Sequence, residues 1–320
     1  IIKYLCESDC RIRGLILPAE TGKNTEQITY YKGDVTKEET LHALFSNTEG
    51  FEVYVIHAAG IISIENKKDP RIYEVNIRGT ENMIRQCIKF HVKRLVYISS
   101  VHALPETKEE ATIRETHLFS KDLVSGDYAE TKALATQAVL DAVKKGLDAV
   151  VVHPSGIIGP YDDGRNHIVQ LISMYLAGKL PASVTGGFDF VDVRDVAKGS
   201  LKACASGKKG DCYILSNRYF TIRELLEYAR RPAGGKKVVC LPNRLVRAFA
   251  PLFEESAKIT RTRPLFTKYA LDTIVGQGHF SHDKATAELD YRPRDMMQTI
   301  NDTVLWLKGK HVPLENRPVP

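Results

Sequence analysis

The sequence lacks any stretch approaching the ~20 apolar residues that a membrane-spanning helix requires. Its longest apolar run in the C-terminal half, residues 245–253, is broken by Arg247 and Pro251. The first residues mix charged with apolar side chains, so no signal peptide is expected there. Cysteine is sparse and dispersed: Cys6, Cys10, Cys87, Cys204, Cys212 and Cys240 form no C-x-x-C pair. That predicts a reduced, cytoplasmic protein rather than a disulfide scaffold. Charge of one sign is scarce too, with 45 Lys+Arg against 39 Asp+Glu for a net of +6, spread along the chain. Such a balance describes a solvated surface and gives no footprint for nucleic acid or an anionic membrane. His279 and His282 form an H-x-x-H with no second ligand pair, so no metal site is expected. Repeats and low-complexity tracts are missing as well.

What is present is a globular composition, 43% hydrophobic and 26% charged over 320 residues. That length predicts two lobes or one large α/β domain. Apolar strands are expected over 11–17, 27–31, 53–57, 94–99 and 148–153. Between them lie helical patterns: the tail of a helix over 1–10, one opened by a Thr36/Glu39 capping box, one capped by Asp69-Pro70, and a long one over 127–145 ending at Gly146. Strands that are apolar throughout are buried on both faces, so the alternation predicts a doubly wound α/β fold with a parallel sheet. After about residue 155 the elements shorten. A second capping box at Thr221/Glu224 and a small amphipathic helix over 280–291 belong to this later part. The expected division is a dinucleotide-binding domain over 1–154 and 187–216, a smaller substrate-binding lobe over 155–186 and 217–307, and a frayed tail over 308–320.

The most informative segment is Tyr128-Ala129-Glu130-Thr131-Lys132. Tyr128 and Lys132, four apart on a helix, share one face. A phenol ionises near pH 10, and a neighbouring ammonium favours the phenolate, which makes the pair a candidate proton donor and acceptor. The motif alone is weak; the segments at successive strand ends strengthen it. Ser99-Ser100 closes one strand, where a hydroxyl can meet a substrate oxygen. His57-Ala58-Ala59-Gly60 closes another, and its small residues permit close approach of a flat ligand. Asn76, on the following helix, can hold a water or backbone group beside the lysine. Gly33-Asp34-Val35 and Pro154-Ser155-Gly156-Ile157 follow two further strands.

Taken in order, these segments resemble the extended short-chain dehydrogenase/reductases, a superfamily that includes nucleotide-sugar epimerases and dehydratases, 3β-hydroxysteroid dehydrogenases and dihydroflavonol reductases. The likeness runs from Arg11 to about Pro293. Its carriers are GDV (33–35), HAAG (57–60), NIRGT (76–80), YISS (97–100), YAETK (128–132), HPSGIIGP (153–160), FVDVRDVA (190–197) and DKATAELDYRPR (283–294). The wording of YISSVHALP and HPSGIIGP is closer to the reductase and hydroxysteroid branch.

The resemblance implies an NAD(P)-dependent enzyme that interconverts a carbonyl and a secondary alcohol on a small organic substrate. Tyr128 would be the general acid/base, Lys132 would lower its pKa and hold the nicotinamide ribose, Ser100 would polarise the substrate oxygen, and Asn76 would support proton relay. Asp34 and Val35 would contact adenine. His57, Ala58, Ala59 and Gly60 would lie along the cofactor, and Pro154, Ser155 and Ile157 would flank the nicotinamide. A homodimer through the helices of Asn76 and Tyr128 is implied, with Met83, Ile84, Ile88, Leu134, Ala138 and Val139 as apolar contacts.

Two departures stand out. The family's first strand and its G-x-x-G-x-x-G turn, whose helix N-terminus holds the pyrophosphate, are not in the sequence; about 20–25 residues are expected to be missing from its start. The strand over 11–17 ends in Leu17-Pro18-Ala19-Glu20, with Lys23 behind, which leans narrowly to NAD over NADP. Competing readings are a nucleotide-sugar epimerase/dehydratase, a non-catalytic cofactor-binding sensor, and an enzyme at a membrane surface with an interfacial helix over 244–263.

Overall fold

The structure is a computed structural model that describes residues 1–62, 69–106, 112–162, 166–180, 182–233, 238–242 and 278–315. The stretch 244–263, read as a possible interfacial helix, lies outside them. Five parallel strands occupy the expected places: β1 (Ile12–Ile16), β2 (Ile28–Lys32), β3 (Tyr54–His57), β4 (Arg94–Ile98) and β5 (Ala149–Pro154). A sixth, β9 (Cys212–Leu215), pairs parallel with β5 to complete the order β3-β4-β5-β9.

Burial of both faces explains why β4, β5 and β9 are apolar without alternation. Leu95, Tyr97, Ala149, Val151, Cys212 and Ile214 face one way, into a core shared with α4 (Gly79–Lys89) and α5 (Asp127–Lys144). Their neighbours Val96, Val150, Val152, Tyr213 and Leu215 face the other way, against α7 (Val193–Ser206) and α9 (Asp283–Leu289). Gly146 ends the α5 turn with a φ of 113°, a conformation that favours glycine.

One feature departs from a continuous sheet. β1 and β2 form a separate parallel pair, and among the described residues no strand joins β1 to β3. An interruption therefore separates β1 from β3 among the described residues. Its margins are apolar but only half-buried: Leu15 and Ile16 on one side, Val55 and Ile56 on the other.

A second group of elements packs beyond the C-terminal ends of the parallel strands. Strands β6 (Gly156–Ile158), β8 (Gly187–Asp192) and β10 (Arg218–Thr221) form a mixed sheet with β8 central. Phe190 and Phe220 of this sheet share a core with α6 (His167–Leu176), α8 (Ile222–Ala233) and α10 (Met296–Leu307). The Thr221/Glu224 box forms as expected, with the Thr221 N–H donating to Glu224 Oε2 at 2.9 Å and the Glu224 N–H to Thr221 Oγ1 at 3.1 Å.

The Thr36/Glu39 box does not form. Thr36 Oγ1 donates to Asp34 Oδ1 instead, and a 3₁₀ turn starts only at Glu38. The expected frayed tail is anchored at least as far as residue 315. Val312 is buried, and Tyr161, Arg194 and Arg294 donate to the carbonyls of Val312, Pro313 and Leu314. Arg194 is itself buried in a network of two guanidiniums and three carboxylates: Arg194 with Asp192 and Asp302, Arg294 with Asp195 and Asp192.

Candidate active site

The ends of β3, β4 and β5 and the N-terminal turns of α5 surround a cleft of about 2470 Å³ that also runs into the interruption between β1 and β3. Ala58, Ala59, Gly60, Ser100, Tyr128, Lys132, Pro154, Ser155 and Ile157 all line it, as do His57 and Val35.

Each side chain has a local reason for its place. Ser100 sits where β4 ends and caps a single 3₁₀ turn, its Oγ accepting the His102 N–H at 3.2 Å. The Ser100 carbonyl accepts from His153 Nδ1 at 3.0 Å, and the His153 ring stacks on Phe119 at 5.3 Å. Burial pushes His153 down to about 4, so it is neutral at physiological pH. Ser99 faces the opposite way, its hydroxyl paired with Thr136 at 2.7 Å.

Tyr128 and Lys132 occupy the first turns of α5, and both are buried. Lys132 Nζ donates to the Ile98 carbonyl at 2.8 Å and lies 5.0 Å from the centre of the Tyr97 ring. Burial alone pushes Lys132 down to about 8. Asn76 lies on a π-helical turn, Glu74–Arg78, and clamps the strand-end segment after β3. Its Oδ1 accepts the Ile61 N–H at 2.8 Å, and its Nδ2 donates to the Ile61 carbonyl at 3.0 Å and to Thr131 Oγ1 at 3.1 Å. Asn76 thus ties the HAAG segment to α5 from behind the cleft. Gly60 lies between them: a Cβ there would stand 3.2 Å from Asn76 Oδ1 and 3.5 Å from Lys132 Nζ.

Two expected cofactor contacts are differently employed. Asp34 is not among the residues lining the cleft; its Oδ1 accepts from the Thr36 N–H at 2.9 Å and holds its own turn. The His57 ring turns into the interior, where Nε2 pairs with Thr80 Oγ1 at 3.1 Å and burial pushes its pKa down to about 3. Glu20 folds back to accept the Leu17 N–H at 3.0 Å at the end of β1. His279 and His282 are engaged separately, His279 against the Tyr219 ring and His282 with Thr286 Oγ1.

Three cleft residues escaped sequence reasoning. His102, Phe188 and Phe190 line the cleft, with His102 stacked on Phe188 at 5.4 Å and edge-on to Tyr128 at 5.9 Å. The only signal was the position of His102 two residues after Ser100.

The part of the chain that carries this cleft is matched by a family model. The model of the NAD dependent epimerase/dehydratase family covers residues 1–216. The chain belongs to this family. Membership places it among nicotinamide-dependent reductases, dehydrogenases and epimerases. It is 27% identical over 330 residues to the decarboxylating sterol-4-alpha-carboxylate 3-dehydrogenase of Schizosaccharomyces pombe, a match that spans 96% of this chain and 93% of that protein. To sterol demethylase protein B of Methylococcus capsulatus it is 27% identical over 265 residues, 82% and 80% of the two chains.

Among solved structures, that of gox2253 superposes with a TM-score of 0.80 at 28% identity, covering 96% of this chain and 93% of the other. The UDP-glucose 4-epimerase of Thermus thermophilus, solved with NAD, superposes at 0.75 with 22% identity, covering 96% and 94%. No helix among the described residues is long and apolar enough to cross a membrane.

Proposed function

We propose that the protein is an NAD(P)-dependent oxidoreductase that interconverts a carbonyl and a secondary alcohol, with Ser100, Tyr128 and Lys132 as its reacting side chains. The observation that carries this reading is the convergence of all three on one cleft, with the ammonium of Lys132 held in a buried position by the Ile98 carbonyl.

The residues present fit a nicotinamide dinucleotide. The bare α-carbon of Gly60 leaves open the space between Asn76 and Lys132 that a Cβ would crowd, and Ala58, Ala59, Pro154, Ser155 and Ile157 present small or flat surfaces around it. Lys132 would reach the ribose beside the nicotinamide. Glu20, the acid that follows β1, favours NAD over NADP by its position in the chain. The bound dinucleotide supplies or accepts the hydride.

In the reducing direction Ser100 Oγ donates a hydrogen bond to the substrate oxygen, and Tyr128 gives that oxygen its phenolic proton. The positive charge of Lys132 makes the phenolate left behind tolerable in a cleft of low polarity. Asn76 keeps the Ile61 segment in register with α5 while this happens. In the oxidising direction Tyr128 Oη takes the proton from the alcohol.

General acid catalysis is worth about 10²–10⁴-fold, so Tyr128→Phe is expected to lose that much turnover while cofactor affinity stays near wild type. Steady-state kinetics with a ketone panel and a cofactor titration check this; near-normal turnover by the variant would remove the assignment.

The homodimer is retained in this reading in reduced form. Met83, Ile84 and Val139 are committed to the chain's own core, which leaves exposed Ile88 with half-buried Leu134 and Ala138 for a partner. A monomer mass by light scattering at micromolar concentration overturns it. The six free thiols accord with a reducing, cytoplasmic setting.

A further inference from the structure

A second cavity, of about 280 Å³, shares no lining residue with the active-site cleft. It lies against a short parallel pair of strands, β7 (Ser183–Val184) and β11 (Cys240–Leu241). Successive residues of a strand point to opposite faces. Val184 accordingly lines the active-site cleft, and Ser183 lines the second cavity. One face of α8 supplies a wall. Arg223, Leu226, Glu227 and Arg230 recur there at helical spacing, with Tyr175 of α6 beside them.

Two of these side chains have no partner within the fold. Ser183 is 1% exposed, and its hydroxyl meets no hydrogen-bonding group, although its main-chain N–H donates to the Val239 carbonyl at 2.9 Å. Buried hydroxyls are ordinarily partnered, because an unmet donor costs free energy. Arg223 makes no ion pair or hydrogen bond with any described residue. It stands in the first turn of α8, where the helix dipole disfavours a cation. Arg230, two turns on, is held by Glu227. Its Nε donates to Oε2 at 3.0 Å and its Nη2 to Oε1 at 2.5 Å, which leaves Nη1 over. Among the described lining residues, two guanidiniums thus face one carboxylate. The excess of one positive charge stands with an unmet hydroxyl and the apolar side chains of Leu226 and Val238.

We propose that this cavity binds a small oxyanion, the carboxylate or phosphate head group of a small molecule. Arg223 and Nη1 of Arg230 take its charge, Ser183 donates to one of its oxygens, and Leu226 and Val238 cover a short apolar body. A guanidinium suits either head group, because its N–H groups pair with two oxygens at once. The site does not depend on the oxidoreductase reading.

The test follows the side-chain Nε–Hε NMR signals of the full chain, isotope-labelled in its arginines. The protein is titrated with sodium phosphate or sodium propionate at constant ionic strength. The Arg223 and Arg230 signals, each identified by its absence from the corresponding Gln variant, are expected to shift saturably with at least one probe, with a dissociation constant in the millimolar range. The tighter probe names the head group. Arg223→Gln is expected to weaken binding, read at Arg230, at least about tenfold, the worth of one charged hydrogen-bonded contact. Ser183→Ala is expected to weaken it about threefold while melting at or above the wild-type temperature, because the hydroxyl it removes has no partner in the fold. A serine with a purely structural role would show the reverse. Arg231→Gln, on the same helix but outside the cavity, with its guanidinium over the Tyr228 ring, is expected to bind as wild type does.

No saturable shift with either probe overturns the proposal. So does unchanged affinity in Arg223→Gln or in Ser183→Ala. An equal loss in Arg231→Gln also overturns it, since that would mark attraction to the surface at large.

Discussion

Lys132 shows how a single residue can be costly for the fold and useful for the site. Burial holds its pKa at about 8, below the ordinary 10.5. Between those values the unfolded chain binds a proton that the folded one has lost, so this group makes stability rise with pH across roughly 8 to 10.5; below 8 the full penalty applies. A shift of this size is on the order of 3 kcal/mol. Lys132→Met should therefore raise the unfolding midpoint at pH 7, with the gain shrinking toward pH 10. Denaturant titrations at several pH values check this, and an unchanged midpoint at pH 7 would mean that the ammonium is fully compensated by its carbonyl partner. Tyr128, Lys132 and Ser100 were legible in the sequence because helical spacing and a strand end suffice to bring them together. His102 and Phe188 were not, since their meeting depends on β8 folding back across the cleft. What the sequence did not show of Asp34 is its local partner, a threonine two residues away that donates to its carboxylate.

At the scale of elements, the first five parallel strands were legible to within about a residue because burial on both faces leaves an apolar run no other use, whereas β9, four residues long, was not read. The mixed sheet of β6, β8 and β10 was not, because its strands are short and broken by glycine and aspartate. Gly187 accounts for part of that. It lies at the start of β8 opposite Thr221 of β10, and a Cβ there would fall on the carbonyl oxygen of Phe220. Gly187→Ala must push β10 away from β8, and overpacking of this kind costs about 1–3 kcal/mol. Urea unfolding should show the lower midpoint; a wild-type midpoint would mean that β10 yields freely. The two capping boxes make a similar contrast. The pattern at Thr221 and Thr36 is the same, but only Thr221 lacks a nearby aspartate to take its hydroxyl.

For the whole molecule, the buried charges on α7 fasten the end of the described chain to its middle. Arg194 touches Asp192 and Asp302 and donates to the Pro313 carbonyl, while Tyr4 and Arg294 both donate to the Leu314 carbonyl. Removing one partner of a buried pair typically costs about 3–5 kcal/mol, because the other charges remain out of water. Arg194→Met should lower the midpoint accordingly and speed tryptic cleavage at Lys308 and Lys310, read by mass spectrometry. Cleavage at the wild-type rate would show that Val312 and the remaining carbonyl contacts hold the segment unaided. None of this was visible in a tail rich in proline, most of whose partners lie more than a hundred residues away along the chain.

The distribution of free thiols has a consequence for how the protein can be watched as it unfolds. Cys6 is exposed, whereas Cys87 on α4 and Cys212 on β9 are buried on the same side of the parallel sheet. A thiol reagent therefore reads the surface through the first and the core through the other two. In mild denaturant the reagent should mark Cys6 at once, and Cys87 and Cys212 only when the sheet opens, so the labelled mass reports the core directly.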